Sequence, residues 1–226
     1  MQELTVKDIV KACNARLLCG DENTKVSSFS KDTRTIKPED IYVGIKGENF
    51  DGNAFCKQAL DLGAIGCITD GNIDDSILEK YKSKVILKVE DSVLALQKLA
   101  NYRRKQYNIP VVAVTGSVGK TSTKDIIASV VSKKYDVLKT QGNLNNQIGL
   151  PLTLLNLKDH TAVVVELGME HEGEISNLSK TAEPTLAVIT NVGTSHIGNL
   201  GSRENILKAK LEILEGLQEN RKTNNQ

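Results

Sequence analysis

Val111-Val-Ala-Val-Thr-Gly-Ser-Val-Gly-Lys-Thr-Ser-Thr-Lys124 is the stretch on which the fold turns. Val111 to Val114 are apolar and mostly β-branched, which reads as a buried strand. The run breaks into Gly116-Ser-Val-Gly119-Lys120-Thr121, and Ile126, Ile127, Val130 and Val131 then recur at helical spacing. Strand, glycine turn and helix start stand in the order that a phosphate-binding loop requires. Glycines let backbone N–H groups approach phosphate oxygens. The helix N-terminus adds positive potential, Lys120 adds a full charge, and the Thr121 hydroxyl is placed to hold Mg²⁺. Val114 stands where the full G-x-x-x-x-G-K-[ST] pattern has its first glycine, so the loop reads G-x-x-G-K-T after Thr115. The strand before and the helix after favour this reading over an ordinary tight turn. A nucleoside triphosphate is the expected ligand.

A chain of 226 residues holds one large domain or two ordinary ones, and 39% hydrophobic content is enough for a core. A net charge of +1 provides no electrostatic footprint for nucleic acid or an acidic membrane. The scarcity of aromatics and the lack of Trp argue against base-stacking platforms. Met1 to Asp8 is polar, without a signal-peptide pattern, and no apolar run is long enough for a membrane span. A cytoplasmic location is expected. Cys13, Cys19, Cys56 and Cys67 form no C-x-x-C pair and have no histidine at zinc-like spacing, so they read as reduced, partly buried small apolar residues.

The segment 1–88 mixes a helix at Val6 to Ala15, strand-like runs at Lys25 to Phe29, Ile41 to Ile45, Ile65 to Thr69 and Val85 to Val89, and a helix at Asn53 to Leu62. Glycines punctuate it, as in a small α/β domain. A linking helix lies in 89–110. Asp91 caps it, Val93, Leu94, Leu96, Leu99 and Ala100 form its apolar face, and Arg103, Arg104 and Lys105 near its end complement the helix dipole. From Val111 to Leu217 strands at Val137 to Lys139, Ala162 to Glu166 and Leu186 to Thr190 alternate with helical runs at Asn146 to Leu155, Glu174 to Lys180 and Arg203 to Leu217. Continuous apolar strands alternating with helices indicate a doubly wound parallel sheet, here incomplete. Residues 218–226 are wholly polar and read as a frayed tail.

Ligands of such sheets bind beyond the carboxyl ends of the strands, where Gly116, Asn143, Glu166 and Asn191 all fall. Glu166 ends an apolar strand beside the glycine loop, which favours a Mg²⁺ ligand or water-positioning carboxylate over a surface ion-pair partner. His196 follows the next strand in Thr190-Asn-Val-Gly-Thr-Ser-His196 and has two readings, metal or phosphate contact and ordinary packing. His160 and His171 lack such a context and are left structural. By spacing alone Lys210 is a solvated helix lysine. The amide cluster Gln141-Gly-Asn143-Leu-Asn145-Asn146-Gln147 fits polar recognition and turn chemistry equally.

Taken together, these motifs resemble the Mur ligases, the ATP-dependent amide-bond ligases of peptidoglycan synthesis. The resemblance rests on Asp32-Thr-Arg34, Lys46-Gly-Glu-Asn-Phe-Asp-Gly52, Thr115-Gly-Ser-Val-Gly-Lys-Thr121, Thr140-Gln-Gly-Asn-Leu-Asn-Asn146-Gln-Ile-Gly-Leu-Pro-Leu-Thr-Leu-Leu155, Glu166-Leu-Gly-Met169, Ile189-Thr-Asn-Val-Gly-Thr-Ser-His196 and Ala209-Lys-Leu-Glu-Ile-Leu-Glu-Gly216. The Asn-Asn-x-Ile-Gly-x-Pro-Leu-Thr block points to the member that adds D-alanyl-D-alanine to UDP-N-acetylmuramoyl-tripeptide. The resemblance implies a UDP-sugar site in the first domain, with Asp32, Thr33, Arg34, Lys46 and Gly47 near the nucleotide and Asn145 and Asn146 also on substrate. It implies ATP at Thr115, Gly116, Ser117, Val118, Gly119, Lys120, Thr121, Ser122 and Asn143. Mg²⁺ is implied at Thr121, Glu166, His196 and Lys210, with Lys120, Glu166, His196 and Lys210 serving catalysis. Lys210 matches the family's carbamylated lysine, which reverses the reading from spacing. UDP-muramoyl peptide and D-alanyl-D-alanine are the implied small-molecule partners, with no nucleic acid and no membrane span, and a complete chain is expected as a monomer. Family members continue beyond this length with a C-terminal domain that contributes to the ATP and amine sites. The chain is therefore expected to be a truncated ligase, inactive alone, with a non-catalytic UDP-sugar- or nucleotide-binding remnant as the alternative.

Overall fold

The structure, a computed structural model, describes residues 4–218. Contacts divide it into two units, with the division between Tyr102 and Arg103. The tail expected at 218–226 lies, from residue 219 on, outside the described residues.

The first unit holds β1 (Leu4–Thr5), α1 (Val6–Cys13), β2 (Arg16–Cys19), β3 (Lys25–Val26), β4 (Ser28–Ser30), β5 (Asp40–Gly44), α2 (Cys56–Asp61), β6 (Gly66–Thr69), α3 (Asp75–Lys80) and β7 (Val85–Lys88). Its main sheet has the order β2-β7-β6-β5-β4, parallel from β7 to β4, with β2 antiparallel at the other edge. The run expected as one strand over Lys25 to Phe29 is two, because β3 pairs with β1 while β4 joins the main sheet beside β5. Thr5 opens α1 with a capping box: its hydroxyl accepts the Asp8 N–H and its own N–H is returned to the Asp8 carboxylate. Tyr42, Ala59, Leu60, Ile86 and the thiols Cys56 and Cys67 pack into one buried cluster. All four cysteines are free, and Cys13, Cys56 and Cys67 are buried.

The helix α4 (Ser92–Lys105) begins where Asp91 Oδ1 accepts the Leu94 N–H at 2.8 Å. Its buried apolar face is Ala95, Leu96, Leu99 and Ala100, while Leu94, expected on that face, is exposed. Arg103 and Arg104 are buried instead of answering the helix dipole from solvent. Arg103 donates to the Leu157 carbonyl at 3.0 and 2.6 Å, and Arg104 donates to the carbonyls of Ala182, Glu183 and Tyr107. Planar guanidinium groups thereby reach carbonyls at the ends of the second unit's elements, and the Leu157 carbonyl also accepts the Tyr107 hydroxyl. Burial holds the Arg103 guanidinium below its usual range.

The second unit contains β8 (Val111–Thr115), α5 (Lys120–Val131), β9 (Val137–Lys139), α6 (Gly149–Leu155), β10 (Ala162–Glu166), α7 (Glu174–Ala182), β11 (Leu186–Ile189), α8 (Ile197–Leu200), α9 (Arg203–Leu211) and a closing 3₁₀ turn at Glu212–Gly216. Its sheet is wholly parallel in the order β11-β8-β10-β9. The two central strands are buried along their whole length, as their continuous apolar runs require. The helix after the glycine loop does not bury all of the residues that made it periodic. Its inner face carries Lys124, Ile127 and Ala128, whereas Ile126 and Val130 are 64% and 67% exposed.

Candidate functional site

Parallel strands bring their carboxyl ends to one edge, so Gly116 after β8, Thr140 after β9, Glu166 at the end of β10 and Thr190 after β11 converge there. The loop Thr115 to Thr121 is held on both sides. On one side the Thr115 hydroxyl donates to the Leu167 carbonyl at 2.9 Å. On the other, the Ser117 N–H donates to the Asn191 carbonyl, the Gly193 N–H donates to Ser117 Oγ, and Thr190 Oγ1 donates to the Val118 carbonyl. The Ser195 hydroxyl adds a fourth tie, to the Ser117 carbonyl. Gly116, at φ 151°, passes so close to β11 that a Cβ would lie 1.9 Å from Thr190 Oγ1. Gly119, at φ 80°, stands immediately before α5 in the left-handed region and lets the first helical N–H groups face outward. Lys120 Nζ folds back on the loop and donates to the Gly116 carbonyl at 2.9 Å.

Beside this loop lies a compact polar cluster. Glu166 is 2% exposed. Its Oε2 accepts the Thr121 hydroxyl at 2.9 Å and its Oε1 accepts Asn145 Nδ2 at 2.8 Å. Its own N–H is satisfied by Thr140 Oγ1 at 3.0 Å. A buried carboxylate in contact with a helix-start hydroxyl is a set of hard oxygen donors suited to Mg²⁺. Among the described residues no three His, Cys, Asp or Glu side chains gather as a metal centre. A cation here would therefore draw on a mixed set that includes the hydroxyl.

Lys210 does not project into solvent from α9. It is 1% exposed and is one of the largest fully buried side chains. Among the described residues no hydrogen bond or ion pair satisfies its Nζ. Burial, helped by the charge of Lys120, pulls its pKa down to about 8. Two residues further on, the Glu212 carboxylate accepts the Gly173 N–H at 2.7 Å and the Ser176 N–H at 3.1 Å. A glycine precedes α7 and supplies no capping side chain, so a carboxylate from the end of α9 caps α7 instead.

The sequence-derived site residues fall into three groups. Thr121, Glu166 and Asn145 come together directly, Lys120 precedes Thr121 with its ammonium on the Gly116 carbonyl, and Lys210 is close enough to feel Lys120. His196 is exposed, sits at φ 64° immediately before α8, and has no hydrogen bond to its ring among the described residues. Ser122 and Asn143 are exposed, and Asn146 accepts the Gly149 N–H at 2.9 Å at the start of α6. The third group belongs to the first unit. Asp32 caps a 3₁₀ turn at Thr33–Thr35 and forms a two-pronged ion pair with Arg34, which holds the Asp32 carboxyl well below the usual range. The backbones of Lys46 and Asp51 pair in an isolated antiparallel β-bridge across a turn in which the Gly47 N–H donates to the Phe50 carbonyl at 2.9 Å. These two loops follow adjacent parallel strands, β4 and β5. Thr140, Ser195 and Glu212 are additions to the residues read from sequence. All three sit inside or next to quoted motifs, but their roles depend on partners far away in the chain.

A family model, the Mur ligase middle domain, matches residues 114–224. The chain is 41% identical over 221 residues to the UDP-N-acetylmuramoyl-tripeptide–D-alanyl-D-alanine ligase of Bacillus subtilis (strain 168), covering 97% of this chain and 48% of that protein. A crystal structure of MurF from Acinetobacter baumannii superposes with a TM-score of 0.88 at 36% identity, covering 96% of this chain and 47% of that one. A MurF ligase from Thermotoga maritima, solved in complex with ADP, gives a TM-score of 0.78 at 37% identity, over 86% of this chain and 44% of that one. The chain thus spans about half the length of the curated relatives that it matches. The glycine loop and the buried carboxylate thus share one sheet edge of a fold whose residues 114–224 match the Mur ligase middle domain.

Proposed function

We propose that this chain carries the UDP-sugar-binding and ATP-binding parts of the ligase that joins D-alanyl-D-alanine to UDP-N-acetylmuramoyl-tripeptide in the cytoplasm. The observation that carries the reading is the contact of Thr121 with buried Glu166 beside a loop shaped for phosphate. Residues 111–217 act as the ATP-binding part, residues 1–88 as the UDP-sugar part, and 89–110 as the link. Thr115 to Ser122 and Asn143 line the nucleotide, and Lys120 leaves the Gly116 carbonyl for phosphate oxygens. Thr121 and Glu166, with His196 and Lys210 as its carbamate, would hold Mg²⁺, which screens phosphate charge when bound. A lysine held near pKa 8 is partly neutral at physiological pH, which carbamate formation requires. Asp32, Thr33, Arg34, Lys46 and Gly47 receive the UDP-sugar, and Asn145 and Asn146 the peptide end.

The terminal carboxylate of the tripeptide attacks the γ-phosphorus, and the bond to the ADP oxygen breaks. The amine of D-alanyl-D-alanine then attacks the acyl carbon, loses a proton, and phosphate leaves with the bonding electrons. Lys120 and the loop N–H groups meet the charge that builds on the transferring phosphoryl group.

Calorimetry with ADP and Mg²⁺ tests this reading. Lys120→Ala is expected to weaken binding by roughly 1.5–3 kcal/mol, the worth of a charge-assisted contact. Equal affinity of wild type and variant would overturn the loop assignment.

A further inference from the structure

A buried lysine on α5 has no part in the function proposed above. Lys124 is 2% exposed, and its ammonium is retained by two partners, the Thr140 carbonyl at 3.0 Å and Asp125 at 3.2 Å. Asp125 in turn receives Lys139 at 2.8 Å. Thr140 is fully buried, and its hydroxyl accepts the Glu166 N–H at 3.0 Å. Glu166 Oε2 accepts the hydroxyl of Thr121, which lies one turn before Lys124 on the same helix. The path therefore closes: α5 through Lys124 to the end of β9, through Thr140 to the end of β10, and through Glu166 back to α5 at Thr121. A simple staple between α5 and β9 would need only the first link. This ring fixes the backbone of Glu166 and the direction of its carboxylate at once.

We propose that Lys124 and Thr140 are positioning residues that hold Glu166 in register with Thr121, and so set how well the site takes the divalent cation of a bound nucleotide. The inference rests on the phosphate and Mg²⁺ reading of this edge. It adds two residues that touch neither ligand.

The test uses Thr140→Val, which keeps shape but loses the acceptor, Thr140→Ser, which keeps the hydroxyl, and Lys124→Met. Two readouts are taken on the whole chain: residue-resolved amide exchange without ligand, and ADP affinity with and without Mg²⁺. In Thr140→Val and Lys124→Met the Glu166 amide is expected to exchange about tenfold faster, and the affinity gained from Mg²⁺ to fall by about tenfold, as for a lost hydrogen bond. ADP affinity without Mg²⁺ stays as in wild type, and Thr140→Ser restores both readouts. Unchanged exchange at Glu166 would overturn the ring. Faster exchange with an unchanged Mg²⁺ gain would reduce Lys124 and Thr140 to a structural staple and overturn the positioning role. If wild type itself gains nothing from Mg²⁺, the cation reading of the edge fails, and a positioning role toward that cation is overturned with it. Lys124→Met alone failing to fold leaves the Thr140 pair to decide.

Discussion

Both units put their candidate ligand residues after the carboxyl ends of parallel strands, yet they hold them in opposite ways. In the second unit buried Glu166 and Ser117 are tied to partners distant in sequence, Glu166 to Thr121 and Ser117 to Gly193. In the first unit Asp32, Arg34, Lys46 and Gly47 lie in two surface turns and bond mainly to near neighbours. The difference fits the two tasks proposed for these units. Stabilising charge on a transferring phosphoryl group needs fixed dipoles at low dielectric. Recognising an extended sugar nucleotide needs exposed donors that can be reached.

Disturbing the tightly tied side is expected to cost most. Gly116→Ala brings a Cβ against Thr190 at a φ that L-residues avoid. It is expected to abolish nucleotide binding and to lower stability by roughly 1–3 kcal/mol, read by denaturant melts. A variant that binds ADP normally would break the view of this loop as pre-set.

Lys210 sharpens the comparison through pH. Its folded pKa of about 8 lies below its ordinary value of 10.5. The folded state therefore binds fewer protons between these values, and stability rises with pH across the window. Below about 8 the burial penalty is fully present, and above about 10.5 it is gone. In carbon-dioxide-free buffer Lys210→Met is expected to be the more stable protein at pH 7, with an advantage that shrinks toward pH 10.5. A constant difference across that range would mean that Lys210 is not held as a strained buried base.

The smallest effect is expected on the exposed side. Arg34→Ala should leave the melting temperature unchanged, because an ion pair in water is screened and costs side-chain entropy. It should weaken UDP-sugar peptide binding, followed by NMR shifts at 32–34 and 46–52. A large loss of stability would mean that this turn is as tightly built as the glycine loop.

Much of this organisation is legible in the sequence. The order of strand, glycine loop and helix at Val111 to Val131, the parallel strand pattern and the strand-end position of Glu166 follow from periodicity and turn chemistry, which are local. Short irregular elements escape such a reading. β2 carries a bulge between Leu17 and Cys19, and α3 and α8 are too brief to show a period. Spacing alone made Lys210 a solvated lysine, and only the family resemblance pointed elsewhere.

The sequence by itself determined the kind of sheet, the glycine loop at its carboxyl edge, and the resemblance to the Mur ligases. Only the tertiary structure decided what is covered. It buries Lys124, Arg103, Arg104 and Lys210 and leaves Ile126 and Val130 in solvent. It also joins Thr140 to Glu166 across 26 positions and Glu212 to Gly173 across 39. Periodicity states which residues share a side of a helix or strand. Whether that side meets an apolar core, a carbonyl that needs a donor, or water depends on the elements packed against it, and these come from distant parts of the chain.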